Sequence, residues 1–258
     1  MADLRVCVVQ PPSPAGSAER ALATLREGLA VAQAAGAGVA VFPELLFPGY
    51  NAGRLADLAQ PAGGEWETAA RAMARDAGVA CAFGYAERDG ARLCNSATAI
   101  GADGSVLARY RKIQPYGARE AALFTPGDAY ATFAIAGRKA ALLICYDVEF
   151  AHHVGAVAAA GAEIVLVPTA NMMPFTHVTR LTVPAQAVTQ GVAIAYANYA
   201  GTEGDLDYCG GSLIVNADGA ILAQAGLAPA VLVTDVPAPD RALLSTQARD
   251  FRKVSGGA

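Results

Sequence analysis

The sequence has no long basic runs and no long uncharged apolar stretch. Its net charge is −4 at neutral pH and Lys and Arg are dispersed, so nucleic acid is not an expected partner. The closest approach to a membrane span, 154–170, contains Glu163 and is better explained as a helix end followed by a strand. Asp3 and Arg5 interrupt the first apolar stretch, which lacks a secretory pattern, so we expect a cytoplasmic protein without a membrane partner.

Paired cysteines and nucleotide-binding motifs are also missing. The five cysteines are an odd number at scattered positions without a C-x-x-C motif, which fits neither a disulfide framework nor a zinc site. We therefore expect reduced thiols, no metal and no other cofactor. Neither G-x-G-x-x-G nor G-x-x-x-x-G-K-[ST] follows a predicted strand, which argues against a nucleotide-binding or dinucleotide-binding α/β protein.

Apolar residues make up 54% of the 258 residues and charged residues 16%, which predicts an extensive buried core. Short Val-, Ile- and Leu-rich strands alternate with Ala-rich helices, as in α/β proteins. Elsewhere, Asp-Gly turns at 103–104 and 218–219 join successive strands and predict antiparallel hairpins. The strands are too many for one ordinary sheet. We predict two mixed sheets packed face to face with outer helices, a four-layer α-β-β-α sandwich.

The individual elements follow from apolar periodicity and from turn and cap residues. Strands are predicted at 4–10, 39–42, 79–85, 93–100, 106–110, 140–145, 164–168, 192–198, 211–215, 221–225 and 231–235. Helices are predicted at 17–35, 65–77, 149–160 and 178–190. Residues 1–258 are expected to form a single domain with a peripheral C-terminal tail from about residue 237, which includes a helix over 241–251.

Three chemically different side chains follow predicted strands. Glu44 follows the strand at 39–42, Lys112 follows the strand at 106–110, and Cys145 ends the apolar run at 140–145. A carboxylate, a cation and a thiol in one pocket are the groups that acyl transfer requires. The sequence therefore predicts a cysteine nucleophile served by a base and by a group that stabilises an oxyanion.

The base is expected to be a carboxylate. His152 and His153 lie on a predicted helix about two turns after Cys145, which argues against a local Cys-His pair. Burial of Glu44 behind Pro43 would raise the pKa of its carboxyl toward neutrality, while the positive charge of Lys112 would oppose that shift.

Several segments resemble the nitrilase superfamily of carbon–nitrogen hydrolases. The three signature segments of that family are matched, in order and with comparable spacing, by 42–44 with 49–50, by 110–112 and by 145–147. The resemblance extends over nearly the whole chain through 124–127, 167–171 and 209–212. It implies a homodimer or larger homo-oligomer assembled through the helical face.

The resemblance also implies roles for individual residues. Glu44 is the general base and acid, Lys112 stabilises the oxyanion, and Cys145 forms a thioester acyl-enzyme. Glu120 matches a second glutamate that positions the substrate and supports Lys112, although an ordinary loop carboxylate is the alternative. The backbone N–H of Tyr146 completes the oxyanion hole.

The residues after the nucleophile indicate the branch of the family. Tyr146-Asp147 stands where nitrilases usually carry Trp-Glu, so amide hydrolysis is favoured over nitrile hydrolysis. Through segments 146–150, 168–174, 196–199 and 208–210, the chain most closely resembles bacterial aliphatic, stereoselective and ω-amino-amide amidases such as 5-aminopentanamidase. The expected substrates are a small aliphatic carboxamide, with or without an ω-amino group, and water. The alternatives are an N-carbamoyl-amine or N-carbamoyl-amino-acid amidohydrolase and an inert binding scaffold.

A substrate-binding set is predicted around these groups. An ω-ammonium would need acceptors, for which Glu149 or the acidic loop at 203–207 are candidates, although that loop could equally be a solvated one. Replacement of the usual Pro-Glu by Ala151-His152 weakens the assignment of Glu149. The predicted substrate-binding residues are Tyr50, Tyr116, Glu149, Asn171, Met172 and Met173.

Overall fold

A computed structural model describes residues 3–240, 242–250 and 252. Its first sheet has six strands in the order β14-β1-β2-β3-β4-β5, in which β1, β2 and β3 are parallel and the outer pairings are antiparallel. These strands are β1 Leu4–Gln10, β2 Val39–Val41, β3 Ala80–Asp89, β4 Arg92–Ile100, β5 Val106–Arg111 and β14 Ala230–Val236.

The second sheet repeats this plan in the order β13-β12-β9-β8-β7-β6, with β7, β8 and β9 parallel. Its strands are β6 Ala131–Ile135, β7 Arg138–Leu142, β8 Ile164–Pro168, β9 Ala193–Ala197, β12 Leu213–Val215 and β13 Ile221–Gln224. A separate small hairpin consists of β10 Thr202–Glu203 and β11 Leu206–Asp207.

Helices connect the parallel strands, because a parallel crossover needs a long connection. Ser17 caps the first helix by accepting a hydrogen bond from the backbone N–H of Arg20, and Gly78 ends the third with a positive φ of 64°. The α-helices are α1 Ala18–Ala34, α2 Leu55–Leu58, α3 Glu65–Ala77, α4 Gly117–Leu123, α5 Ala151–Ala159, α6 Val183–Gln190 and α7 Gln247–Asp250. A 3-10 helix, Cys145–Glu149, precedes α5, and a π-helical turn, Val178–Thr182, precedes α6.

The alternation of side chains along β1 shows how the layers pack. Val6 and Val8 belong to the core between the two sheets, whereas Cys7 and Val9 belong to the core under α1 and α3. Both faces of the strand are buried, since one meets the other sheet and the other meets helices. Residues of α5 and α6 pack on the second sheet, which confirms the predicted α-β-β-α sandwich.

Each predicted strand overlaps an observed one, and both Asp-Gly hairpins are confirmed. Strand β6, the β10–β11 hairpin and helices α2 and α4 were not predicted, because they are short or only partly buried and lack a distinct apolar period. Helix α5 begins two residues later than predicted, because the 3-10 helix ends at the extended Phe150. In the tail, α7 is shorter than the predicted 241–251, and residues 241 and 251 lie outside the described residues. No described helix is long and apolar enough to cross a bilayer.

Candidate active site

The backbone places the three predicted reactive residues in three short segments that follow strands. Glu44 lies three residues after β2, and Lys112 directly follows β5. The predicted strand 140–145 is wrong at its end, because β7 stops at Leu142 and Cys145 begins the 3-10 helix. Cys145 has a φ of 45°, a left-handed conformation that non-glycine residues rarely adopt and that is often found where a side chain must be presented sharply at a functional site.

Glu44 and Lys112 form a fully buried ion pair. The Glu44 Oε1 atom accepts hydrogen bonds from Lys112 Nζ at 2.7 Å and from Asn95 Nδ2 at 2.6 Å. The other oxygen, Oε2, is buried and accepts no hydrogen bond from any described residue. Because a buried polar atom without a partner is costly, this oxygen is a strong candidate for an acceptor that serves a reacting group.

A second carboxyl group completes the environment of Lys112. Lys112 Nζ lies 3.0 Å from Glu120 Oε1, and Tyr50 Oη donates to the same oxygen at 2.7 Å. The backbone N–H of Tyr116 donates to Glu120 Oε2 at 2.8 Å. Glu120 is 2% exposed and lies in helix α4, so it is not an ordinary loop carboxylate.

Electrostatic effects within this group oppose each other. Burial raises the pKa of Glu44 and outweighs the lowering effect of the Lys112 charge. Burial acts to lower the pKa of Lys112, but the neighbouring Glu44, Cys145 and Glu120 outweigh it and raise that pKa. Lys112 therefore stays a cation. The pKa of Glu44 lies closer to neutral pH than that of an exposed glutamate, which suits this carboxyl group to taking up and releasing a proton.

The Cys145 thiol is half-buried and lies within electrostatic reach of this cluster. Burial and the negative charge of Glu44 raise the pKa of the thiol well above its usual value, and Lys112 and the backbone N–H of Ala170 offset the effect only in part. The sulfur is therefore protonated in the resting site. A nucleophilic reaction at this position requires a base that takes the proton as the bond forms.

Asp147 holds the segments that carry Cys145 and Lys112 in register. Its buried carboxylate accepts hydrogen bonds from the backbone N–H of Ile144 at 3.1 Å and of Gln114 at 2.8 Å, and from Tyr110 Oη at 2.8 Å. One side chain thus links the start of the 3-10 helix to the end of β5. The sequence motif contained Asp147, but no sequence signal indicated that it joins two distant segments.

Gly84 on β3 allows the backbone of Glu44 and Leu45 to pack directly against the strand. A Cβ atom at this position would lie 2.3 Å from the backbone nitrogen of Leu45 and 2.6 Å from Glu44 Cα. No side chain fits there without moving the segment that carries the carboxylate.

Cys145 lines a cavity of about 220 Å³. Glu149 lies in its wall, half-buried, and no described residue donates a hydrogen bond to its carboxylate. Burial raises the pKa of Glu149, and His177, another wall residue, partly opposes this shift. The wall contains Tyr50, Tyr116, Tyr146, Glu149, Ala170, Asn171, Met172, Phe175, His177 and Val178.

The prediction that Met173 binds substrate is wrong, since this residue is 43% exposed and lies outside the cavity wall. Met172 forms an isolated antiparallel bridge with Tyr208 and lines the cavity, whereas Met173 already belongs to the turn that follows this bridge and is exposed.

The acidic loop at 203–207 is also absent from the cavity wall. Glu203 is buried against Asn51 and Tyr208, while Asp205 binds Asn51 Nδ2 at 2.8 Å and Asp207 is exposed. Asn95 and His177 are site residues that were not predicted, because neither belongs to a recognisable local motif. In the described part of the chain, no cluster of His, Cys, Asp and Glu could hold a metal ion.

Comparison with known proteins places this geometry in a family. The model of the carbon–nitrogen hydrolase family matches residues 5–244. A protein from Pseudomonas protegens, described as a hydrolase in the pqqF 5′ region, is 38% identical over 89% of this chain and 81% of its own. An (R)-stereoselective amidase from Pseudomonas sp. is 35% identical over 72% of this chain and 68% of its own.

Solved structures of an amidase from Nesterenkonia sp. AN1 superpose on this chain with a TM-score of 0.87 and 34% identity, covering 96% of this chain and 96% or 94% of that one. In variants of that amidase, acrylamide or the acetamide moiety of fluoroacetamide is attached covalently to the active-site cysteine. The likeness to 5-aminopentanamidase is not tested by these matches and stays a prediction. The family match over most of the chain, together with its amidase relatives, shows that this protein belongs to the carbon–nitrogen hydrolases of the nitrilase superfamily and is an amidase-type enzyme.

Proposed function

We propose that this amidase hydrolyses a small aliphatic carboxamide to the carboxylic acid and ammonia through a thioester on Cys145. Glu44 takes the thiol proton as the sulfur attacks the carbonyl carbon. The negative charge that develops on the carbonyl oxygen is stabilised by Lys112 and by the backbone N–H of Tyr146, which lies in the first helical turn and has no partner within the helix.

Glu44 serves each later proton transfer in turn. It returns its proton to the amide nitrogen. The carbon–nitrogen bond then breaks, ammonia departs, and Cys145 carries the acyl group as a thioester. Glu44 then takes a proton from water, whose oxygen attacks the thioester carbon. Collapse of this second adduct breaks the carbon–sulfur bond, and Glu44 returns the proton to the sulfur as the acid leaves.

The unpartnered Glu44 Oε2 atom is the observation that carries this proposal. Oε1 is occupied by Lys112 and Asn95, so the orientation of the carboxyl group is fixed and only one oxygen is free for proton transfer. The Lys112 ammonium is held between two carboxyl groups, Glu44 and Glu120, and these two ion pairs fix its position beside the proposed base.

The cavity that Cys145 lines supports the substrate class. Its volume of about 220 Å³ suits an acyl group of a few carbon atoms, and aromatic walls such as Tyr116 and Phe175 suit a methylene chain. Glu149 adds one acceptor that no described residue occupies. We assign it to a cationic group at the far end of the acyl chain, as in an ω-amino amide.

A substrate panel tests this assignment through ammonia release. The kcat/KM for 5-aminopentanamide is expected to exceed that for hexanamide, which has the same shape without the charge, by about 10- to 100-fold, since a charge-assisted hydrogen bond contributes roughly 1.5–3 kcal/mol. Glu149→Gln is expected to remove this preference and to leave turnover of hexanamide unchanged, which makes hexanamide the internal control. The preference is expected to fall as the pH drops through the raised pKa of Glu149, because the carboxylate then loses its charge.

The same panel separates the alternatives. Faster release of ammonia from N-carbamoylputrescine than from either carboxamide would replace the proposal by the carbamoyl alternative. Faster turnover of the matching nitrile would contradict the amide preference inferred from Tyr146-Asp147. If the Glu149→Gln enzyme kept the preference for 5-aminopentanamide over hexanamide, Glu149 would not be the residue that binds the ω-ammonium group.

A backbone variant tests the placement of Glu44. Gly84→Ala is expected to lower kcat/KM by at least tenfold and to destabilise the fold by about 1–3 kcal/mol, because the new Cβ pushes against the Glu44–Leu45 backbone. Gly53→Ala is the matched control, since a Cβ there meets nothing within 4 Å. Ammonia release and thermal unfolding measure the two effects. Wild-type activity in the Gly84→Ala enzyme would contradict the required close approach.

The predicted assembly and surroundings of the enzyme stay predictions. They comprise a homodimer or larger homo-oligomer, which sedimentation velocity can test, a cytoplasmic location, and catalysis without a metal or other cofactor.

A further inference from the structure

Glu203 is a buried acidic residue outside the reaction cavity that the proposed mechanism does not use. It lies on β10 and is 4% exposed. Its Oε2 atom accepts hydrogen bonds from Tyr208 Oη at 2.5 Å and from the backbone N–H of Asn51 at 3.0 Å. Its Oε1 atom accepts none from any described residue and lies against Gly49, where a Cβ would be only 2.6 Å away. A buried carboxylate oxygen without a hydrogen-bond partner destabilises the fold, so its presence calls for an explanation.

The β10–β11 hairpin that carries Glu203 joins two walls of the cavity. On one side, Asn51 Nδ2 donates to the backbone oxygen of Glu203 at 2.8 Å, next to the wall residue Tyr50. On the other side, the backbone N–H of Met173 donates to the backbone oxygen of Asp207 at 2.8 Å, next to the wall residue Met172. The hairpin thus fixes the distance between the two segments.

A short series of contacts leads from Glu203 to the reactive groups. Glu203 holds Asn51, and the neighbouring Tyr50 donates its hydroxyl to Glu120 at 2.7 Å. Glu120 in turn contacts the Lys112 ammonium. Loss of the Glu203 carboxyl would remove the hydrogen bond to the backbone N–H of Asn51 and leave this segment held only through the Asn51 side chain, which would loosen the placement of the adjacent Tyr50 hydroxyl on Glu120.

Tyr208 provides a second connection to the site. Its ring lies 4.9 Å from that of Tyr199, whose hydroxyl donates to the backbone oxygen of Glu44 at 2.9 Å. The two tyrosines therefore pack Glu203 close to the backbone that carries the proposed base.

We propose that Glu203 is a positioning residue, which acts through Asn51 and Tyr50 to hold Glu120 and Lys112 in their reactive arrangement. This inference rests on the proposed amidase function of the same site. A displacement of about 1 Å in such a group can cost about 10²-fold in rate, so a residue that touches no reacting atom can still control kcat.

The test measures kcat and KM per folded molecule, with the folded fraction determined by circular dichroism, so that misfolded protein does not contribute. Glu203→Ala is expected to lower kcat by about 10- to 100-fold. Glu203→Gln keeps an acceptor oxygen for Asn51 and Tyr208 and is expected to retain kcat within about threefold. Thr202→Ala, an exposed neighbour on the same strand, is the control and is expected to match the wild type. A kcat within about twofold of wild type in Glu203→Ala would overturn the proposal.

Double substitution tests the route through Tyr50. If Glu203 acts through the Tyr50 hydroxyl, combining Glu203→Ala with Tyr50→Phe is expected to cost little more than the larger single effect. Multiplicative losses would overturn this route. If Glu203→Ala does not fold, Tyr208→Phe removes one hydrogen bond to the same carboxyl and is expected to lower kcat severalfold, and an unchanged kcat would overturn the proposal.

A separate readout keeps the positioning role distinct from the amidase proposal. The rate at which iodoacetamide alkylates Cys145 depends on Lys112 and Glu44 but not on hydrolysis. Glu203→Ala is expected to slow this alkylation by about tenfold relative to Thr202→Ala. If the wild-type enzyme releases no ammonia from any amide, the amidase function fails, and the alkylation rates still decide the role of Glu203.

Discussion

The Cys145→Ala enzyme is expected to release no measurable ammonia from amides while keeping its fold. The substitution removes the one cysteine among the described residues that is not fully buried, which lines the cavity and interacts electrostatically with Glu44 and Lys112. The Tyr50 hydroxyl also lies in the described cavity wall beside Glu120, but burial raises its pKa and it already donates to that carboxyl, so it is a poorer nucleophile than the thiol. A coupled assay for ammonia measures the effect, and circular dichroism with thermal unfolding checks the fold.

Cys7→Ala is the matched control for this substitution. Cys7 is fully buried on β1 in the core under α1, where burial raises the pKa of its thiol to about 12, so it is both inaccessible and protonated. Its replacement is expected to reduce stability modestly and to leave turnover per folded molecule unchanged. In the wild type, iodoacetamide is expected to modify Cys145 before the four buried cysteines. Turnover by Cys145→Ala near the wild-type rate would end the thioester mechanism.

Glu44→Gln is expected to lower kcat/KM by a factor on the order of 10² to 10³ or more, the usual effect of removing an acid–base group. Glutamine has nearly the same shape, and its oxygen can still accept from Lys112 and Asn95, so the site keeps its form. Its amide cannot take the proton of a thiol whose pKa burial has raised well above normal. Both acylation and thioester hydrolysis are therefore expected to slow, as single-turnover measurements can show.

Glu67→Gln serves as the control for loss of a buried carboxylate. Glu67 is 3% exposed and binds the Arg109 guanidinium through both oxygens at 2.7 and 2.8 Å, remote from the cavity wall. Its substitution is expected to affect stability and to spare kcat. If Glu44→Gln lost no more activity than Glu67→Gln, another group would have to act as the base.

The sequence indicated the fold and the central reactive residues because both depend on local patterns. A strand buried on both faces is a short apolar run, and the polar residue that ends or follows it is visible in the sequence, as for Glu44 and Lys112. The end of the run at Cys145 was less well defined, since Leu143 and Ile144 continue the apolar pattern without belonging to the strand.

Contacts between distant segments were not visible in this way. Asn95 is an unremarkable residue within β4, yet its side chain fixes the orientation of the Glu44 carboxyl. For Glu120, the choice between a role beside Lys112 and an ordinary loop carboxylate stayed open, because its burial depends on the unpredicted helix α4. The acidic loop could not be assigned at all, and only its packing against Asn51 separates Glu203 from its exposed neighbours.

The amino-acid pattern by itself determined the layered α/β architecture and the presence of a carboxylate, an ammonium and a thiol after its strands. The tertiary structure alone decided which oxygen of Glu44 is free, which acidic residues face the cavity, and that Met172 rather than Met173 lines it. Hydrophobic periodicity is a property of neighbours in sequence, whereas hydrogen-bond partnership and the direction of a loop side chain depend on segments that meet only when the two sheets pack.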